Sequence, residues 1–157
     1  FQPKGLTRIA VDSIFMMPHL GVLSSVHPEA AQEVFEKDCL VPLGPCISVI
    51  NEGRPGEACL EVKITRPGGK EIKDSIPFGE LRLYPLSTQE EADIEVSPTR
   101  QFDLGKGRGE SIKKKVQGGV VGLVIDSRGR PLRLPGDRAK RMELLMRWAR
   151  ALDAYPR

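Results

Sequence analysis

The sequence predicts a mainly β, α+β protein: a small antiparallel barrel or sandwich with an N-terminal helical segment and a C-terminal amphipathic helix. The chain has 16 glycines and 13 prolines among 157 residues, an above-average share that is typical of many turns. Short stretches of alternating apolar and polar residues recur between those turns, whereas helical periodicity is confined to the two ends.

Two parts can be distinguished along the chain. Residues 1–40 form the helical N-terminal segment, and residues 41–157 form a β-rich module that ends in the C-terminal helix. A weak boundary lies near residues 40–45, where the periodicity changes. At this length we expect the two parts to fold as one compact domain.

The N-terminal segment combines a short strand with two helices. Residues 6–11 read as a strand, after which Asp12 or Ser13 suits a helix N-cap. The helix predicted over residues 14–23 is apolar nearly all round, which is typical of a buried helix. A second helix begins at Pro28, because proline is favoured at the first helical position.

The clearest strand of the β-rich module is predicted over residues 59–65, where Leu60, Val62 and Ile64 alternate with polar residues. Residues 67–70 supply a hairpin turn after it. The stretch 119–126 is apolar on both faces, which predicts a central strand. The remaining strands are predicted over residues 46–51, 71–76, 78–86, 92–96, 113–116 and 131–134.

The C-terminal helix is predicted to begin at Asp137. Its apolar residues recur at helical spacing and its arginines and lysines cover the other side, so this helix must dock on something. Soft, methionine-rich apolar surface is suited to partner binding, with core packing as the alternative. The candidate partner-docking residues are Met142, Leu145, Met146, Trp148 and Leu152.

Charge and composition exclude several classes of protein. The formal net charge is only +3, from 24 basic and 21 acidic side chains, which is unlike a dedicated polyanion binder. No apolar run of about 18 residues occurs, so we expect no transmembrane helix and no membrane partner. The three cysteines form no CxxC pair, which predicts free thiols and a cytoplasmic location.

A glycine-rich basic loop is the most suggestive segment for ligand binding. Glycines free a backbone to approach a phosphate, and neighbouring cations supply charge. The loop lacks the Gly-Lys-Ser/Thr ending of a P-loop, and a mobile basic turn is the alternative interpretation. The candidate phosphate-binding or nucleotide-binding residues are Arg100, Gly105, Lys106, Gly107, Arg108 and Gly109.

Weak single-stranded nucleic-acid binding is a further alternative, although we regard nucleic acid as the less favoured partner. The basic loop is followed by lysines at 113–115, but such binding requires aromatic platforms and Phe102 is the sole aromatic residue there.

No catalytic constellation is visible. The sequence has no GxSxG motif and no cysteine with a convincing histidine partner. His19 and His27 lie at no standard metal-ligand spacing from the cysteines. We therefore predict a non-enzyme with no catalytic residue, no metal site and no cofactor.

Three stretches of the chain together carry a resemblance that extends over nearly its whole length. They are residues 9–31; RPGE at 54–57 with FGEL at 78–81 and YPL at 84–86; and, most specifically, RQFDLGKG at 100–107 with GGVVGLVIDSRGRPL at 118–132. In these stretches the chain resembles the C-terminal region of the glutamate mutase L family, the MutL-type proteins associated with adenosylcobalamin-dependent mutases.

Members of that family resemble actin-type ATPases that act as accessory or reactivating factors for the mutase. A chain of 157 residues cannot hold a two-lobed ATPase core, so no ATPase residue is carried over. The resemblance implies a non-catalytic accessory or docking module. Its partner would be an ATPase-like lobe or a cobalamin-dependent mutase, and self-association stays an open alternative.

Overall fold

The computed structural model describes residues 2–154. Within them the strands are β1 (Gly5–Asp12), β2 (Leu40–Ser48), β3 (Ala58–Thr65), β4 (Glu71–Pro77), β5 (Leu81–Tyr84), β6 (Glu91–Pro98), β7 (Ile112–Gln117) and β8 (Leu123–Asp126). The α-helices are α1 (Met17–Ser24), α2 (Pro28–Val34) and α3 (Arg138–Ala151), and a π-helical turn, Phe35–Cys39, joins α2 to β2. No helix in this part of the chain is long and apolar enough to span a bilayer.

The strands form two four-stranded sheets. One has the order β1-β2-β8-β5 and the other the order β4-β3-β6-β7, and neither closes into a barrel. The mainly β, α+β prediction is confirmed, in its sandwich-like form. One pairing differs from the antiparallel expectation, because β2 and β8 are parallel.

A single apolar core lies between the two sheets. It takes Ile47 and Ile125 from the first sheet and Val62 and Ile94 from the second, all almost fully buried. On β3 the predicted alternation is observed, since Val62 is buried while Glu61 faces solvent. The predicted hairpin turn follows, with the Arg66 N–H bonded to the Lys70 carbonyl at 2.9 Å.

β2 begins earlier than predicted despite its two prolines. Pro42 and Pro45 lie in the half of β2 that pairs with β1 alone, because β8 joins only at Cys46–Ser48. Proline cannot donate a ladder hydrogen bond, so it is tolerated where a strand is paired on one side. The strand predicted over residues 131–134 is absent, since both sides of β8 are already occupied by β2 and β5.

Two glycines, Gly44 and Gly119, let the segment before β8 lie directly on β2. A Cβ at Gly44 would lie 2.1 Å from the Gly122 carbonyl oxygen, and one at Gly119 would lie 2.3 Å from the Leu43 backbone. The Val121 N–H bonds the Leu43 carbonyl at 2.9 Å across this contact. The close approach brings β8 alongside β2 as its parallel neighbour.

The helix predicted as buried is largely exposed. α1 is apolar, as expected, but Leu20 is its one buried residue, and α2 buries Ala31. Neither residue belongs to the core between the sheets. The burial prediction for this segment is wrong because no other part of the chain that the structure describes covers α1.

The close contact at Gly44 predicts how an added side chain would change stability. Gly44 has a φ of 132°, and an added Cβ would meet backbone. Gly44→Ala should therefore lower the free energy of unfolding by about 2 kcal/mol or more. Gly21→Ala is the control, because a Cβ there meets open space in α1 and should add up to about 1 kcal/mol. Urea unfolding of the two variants measures both effects, and equal midpoints would contradict the packing described.

Candidate functional site

A buried charged network organises the turn after β8. The Asp126 carboxylate accepts hydrogen bonds from Arg128 Nε and Nη2, each at 2.8 Å, and from Arg130 Nη2 at 2.6 Å. It also accepts from the Arg128 backbone N–H at 3.0 Å. Arg130 is itself buried and donates to the carbonyls of Pro3 and Gly129 and to Ser48 Oγ.

The electrostatics of the network favour an ionised Asp126. Burial raises the pKa of this carboxyl, but hydrogen bonds and charge from Arg128 and Arg130 lower it by more. The pKa therefore lies below its ordinary value. With donors on both of its oxygens, the carboxylate is arranged to hold the turn rather than to exchange a proton with a substrate.

The same network anchors α3. The Arg128 guanidinium lies over the Trp148 ring, 4.6 Å from its centroid. Trp148 Nε1 donates to the Gly79 carbonyl at 2.9 Å, and the Gly79 N–H bonds the Ser127 carbonyl at 3.0 Å. A buried tryptophan with a satisfied N–H and a stacked cation fixes the rotation of the helix about its axis.

Because Trp148 anchors α3, the five predicted docking residues differ in how exposed they are. Trp148 is buried against the β body, and Leu152 is half-buried. Leu152 lines a mostly apolar cleft of about 240 Å³ beside Asp126. Met142, Leu145 and Met146 are exposed, so these three are the residues available to a partner.

The glycine-rich loop is folded around its own carboxylate. Asp103 Oδ1 accepts the N–H groups of Gly105 at 2.6 Å and Gly107 at 3.0 Å. The Gly109 N–H bonds the Phe102 carbonyl at 2.9 Å. These three amides are already occupied, so a phosphate at this loop would depend on side-chain cations.

The cations of the loop do not act as one group. Lys106 lines a cleft beside the start of β1, whereas Arg100 and Arg108 do not border that cleft. All three side chains are on exposed residues. The structure thus separates Lys106 from Arg100 and Arg108.

Phe102 cannot serve as a platform for bases in this structure. It is fully buried, and its ring stacks on Phe78 with a centroid distance of 5.3 Å. Stacking on a base would require a solvent-facing ring. The geometry therefore removes the aromatic residue on which the nucleic-acid alternative depended.

Sequence reasoning missed one exposed apolar surface. It lies on the N-terminal helical hairpin, and we call it the hairpin surface: Ile14, Phe15, Met17, Val22, Leu23 and Val26. The missed signal was the absence of Asp, Glu, Lys and Arg from α1. The sequence alone could not show whether such a helix is buried or exposed.

Comparison with family models, with curated proteins and with solved structures found no match to this chain. The resemblance to the glutamate mutase L family therefore stays a prediction from the sequence.

The Asp126 network makes a second stability prediction. Asp126→Asn should lower the free energy of unfolding by about 3–5 kcal/mol, because it leaves two arginines without their buried counter-charge. The control is Asp93→Asn, at an exposed carboxyl on β6, which should change it by less than about 0.5 kcal/mol. Urea unfolding at neutral pH measures both variants, and a small effect at Asp126 would contradict the role assigned to it.

The pH dependence of the same variant follows from the lowered pKa of Asp126. The stabilisation is present above the ordinary value of 3.8 and is lost as pH falls through the folded-state pKa. The difference in unfolding free energy between wild type and Asp126→Asn should therefore narrow as pH is lowered below that value. Denaturant titrations at several acidic pH values check this, and a constant difference would contradict it.

Proposed function

We propose that this chain is a non-catalytic docking domain that binds a protein partner through the hairpin surface. The observation that carries the proposal is the exposure of α1, a helix without charged residues. Phe15 and Val22 are 75% and 74% exposed. Several exposed apolar side chains on one element are typical of interaction sites, because leaving them in water is unfavourable.

Hydrogen bonds hold the N-terminal helical hairpin in place, although few of its apolar side chains are packed against the rest of the chain. The Asp12 carboxylate accepts the N–H groups of Ile14, Met16 and Met17 at 3.2–3.3 Å. The Ser13 backbone N–H and Oγ both bond the Cys39 carbonyl. A surface fixed before binding loses less conformational entropy when a partner arrives.

Backbone strain at the exposed Phe15 supports the same role. Phe15 has a φ of 54°, in the left-handed region that bulky residues rarely adopt. Such conformations persist where surrounding contacts impose them, and they concentrate at functional sites. The turn thus presents a phenylalanine to solvent at a cost in free energy, which a binding role would explain.

The exposed residues of α3 form a second docking surface. Met142 and Met146 are one helical turn apart on a side of the helix that faces away from Trp148, and Leu145 is exposed beside them. Methionine side chains adapt to varied partner surfaces. Because Trp148 fixes the helix, this side stays directed outward.

The partner we propose is the one that the resemblance implies, an ATPase-like lobe or an adenosylcobalamin-dependent mutase. We also propose a cytoplasmic location. Cys39, Cys46 and Cys59 are free and buried, and burial raises the pKa of the Cys59 thiol to about 12. Unreactive free thiols are typical of proteins in reducing compartments.

A variant of the hairpin surface tests the proposal. Phe15→Asn with Val22→Ser removes two exposed apolar side chains, and asparagine tolerates the left-handed backbone at position 15. Titration calorimetry with a purified mutase and with a purified ATPase lobe should show binding by wild type, weakened at least about tenfold in the variant. Sedimentation of the chain alone would reveal whether a second copy is the partner.

The matched control is Leu134→Asn, at another exposed apolar residue. It should bind as wild type does, and the urea midpoints of both variants should stay close to that of wild type. Binding that the hairpin variant leaves unchanged, or the absence of binding to either partner and of self-association, would overturn the proposal.

A further inference from the structure

Three lysines from distant parts of the chain line the same cleft. Lys4 precedes β1, Lys106 belongs to the glycine-rich loop, and Lys114 lies on β7. The cleft has a volume of about 240 Å³, and its other lining includes Leu6, Leu104 and Ile112. We call it the lysine cleft.

Backbone contacts fix the two segments that border the lysine cleft, the start of β1 and the glycine-rich loop. Gly5 has a φ of 60°, and a Cβ there would lie 2.4 Å from the Leu104 carbonyl oxygen. The Ile50 N–H bonds the Asp103 carbonyl at 3.0 Å, which ties the loop to the end of β2. The Asp103 carboxylate then folds the loop so that Lys106 faces the cleft.

These lysines differ from their neighbours in having no carboxylate partner. On the outer side of β7, Lys113 pairs with Glu95 at 2.8 Å, and Lys115 lies 4.0 Å from Glu91. Within residues 2–154 no Asp or Glu oxygen lies within 4.0 Å of Lys4, Lys106 or Lys114, as none of the ion pairs includes them. Positive charge is therefore neutralised on the outer side of the sheet and left open at the cleft.

Lys114 occupies a position that alternation assigns to the inner side of the sheet. Ile112 and Val116, its neighbours on that side, are both buried. A lysine at such a position on an edge strand can protect the edge from pairing with another chain. That role alone does not account for Lys4 and Lys106, which lie outside β7 and face the same cleft.

We propose that the lysine cleft binds the phosphate group of a small phosphorylated molecule. Ammonium groups are compact charges suited to phosphate oxygens, and three of them are enough to neutralise a phosphate dianion. Leu6 and Ile112 offer apolar contact to the uncharged part of the ligand. The site is independent of the hairpin surface, so either proposal can fail without the other.

Titration with inorganic pyrophosphate and with ADP tests this site, using amide chemical shifts to locate binding. Both ligands should shift the amides of Gly105 and Lys114. Lys106→Gln with Lys114→Gln should weaken binding at least about tenfold, because two of the three cations are lost. Phe15→Asn with Val22→Ser should leave binding unchanged, which separates this site from the docking function.

The charge-matched control is Lys70→Gln with Lys140→Gln, two exposed lysines outside the cleft. It should change the dissociation constant by less than about twofold at fixed salt. Equal weakening by the control, shifts confined to other residues or the absence of binding would overturn the proposal. A preference for oligothymidylate over ADP would overturn the small-molecule assignment.

Discussion

The hydrogen-bonded carboxylate of Asp126 is the point on which several parts of the molecule converge. Through Arg130 it reaches the Pro3 carbonyl and Ser48, and through Arg128 it reaches Trp148 of α3. A buried charge without its partners is costly. The N-terminal segment, β2, β8 and α3 must therefore be in place together for the network to be satisfied, which couples elements that are distant in sequence.

The exposed side of α3 and the lysine cleft, two of the three proposed surfaces, depend on this coupling. Trp148, stacked on Arg128, turns one side of α3 towards the β body and leaves Met142 and Met146 outside. At the other end, Arg130 holds the Pro3 carbonyl at 3.0 Å, and the next residue is Lys4 of the lysine cleft. The Asp126 network thus helps to position residues of two proposed binding surfaces.

Local sequence patterns predicted individual strands and turns well. They predicted contacts between segments distant in sequence less well. Alternation identified β3 and its turn because the signal lies within the strand. The parallel pairing of β2 and β8 depends on contacts of Gly44 with Gly122, which no alternation encodes. Periodicity likewise showed that α1 would favour burial, but it could not show whether the chain supplies a covering layer. For α3 it grouped Trp148 with the exposed methionines, because an anchor and a docking residue share the same chemistry.

The glycine-rich loop shows why a motif needs its neighbours to be interpreted. Glycine and lysine in sequence suggested backbone amides for a phosphate, yet the amides of Gly105 and Gly107 bind Asp103. A carboxylate from within the loop occupies the place of an external anion, and this gives the loop a fixed shape. That shape places Lys106 at the same cleft as Lys4 and Lys114. An anion there would be bound by lysine side chains and not by backbone amides. The positive charge proposed to bind phosphate is then brought together by the tertiary structure. It comes from residues as far apart in sequence as Lys4 and Lys114, which are separated by 110 positions.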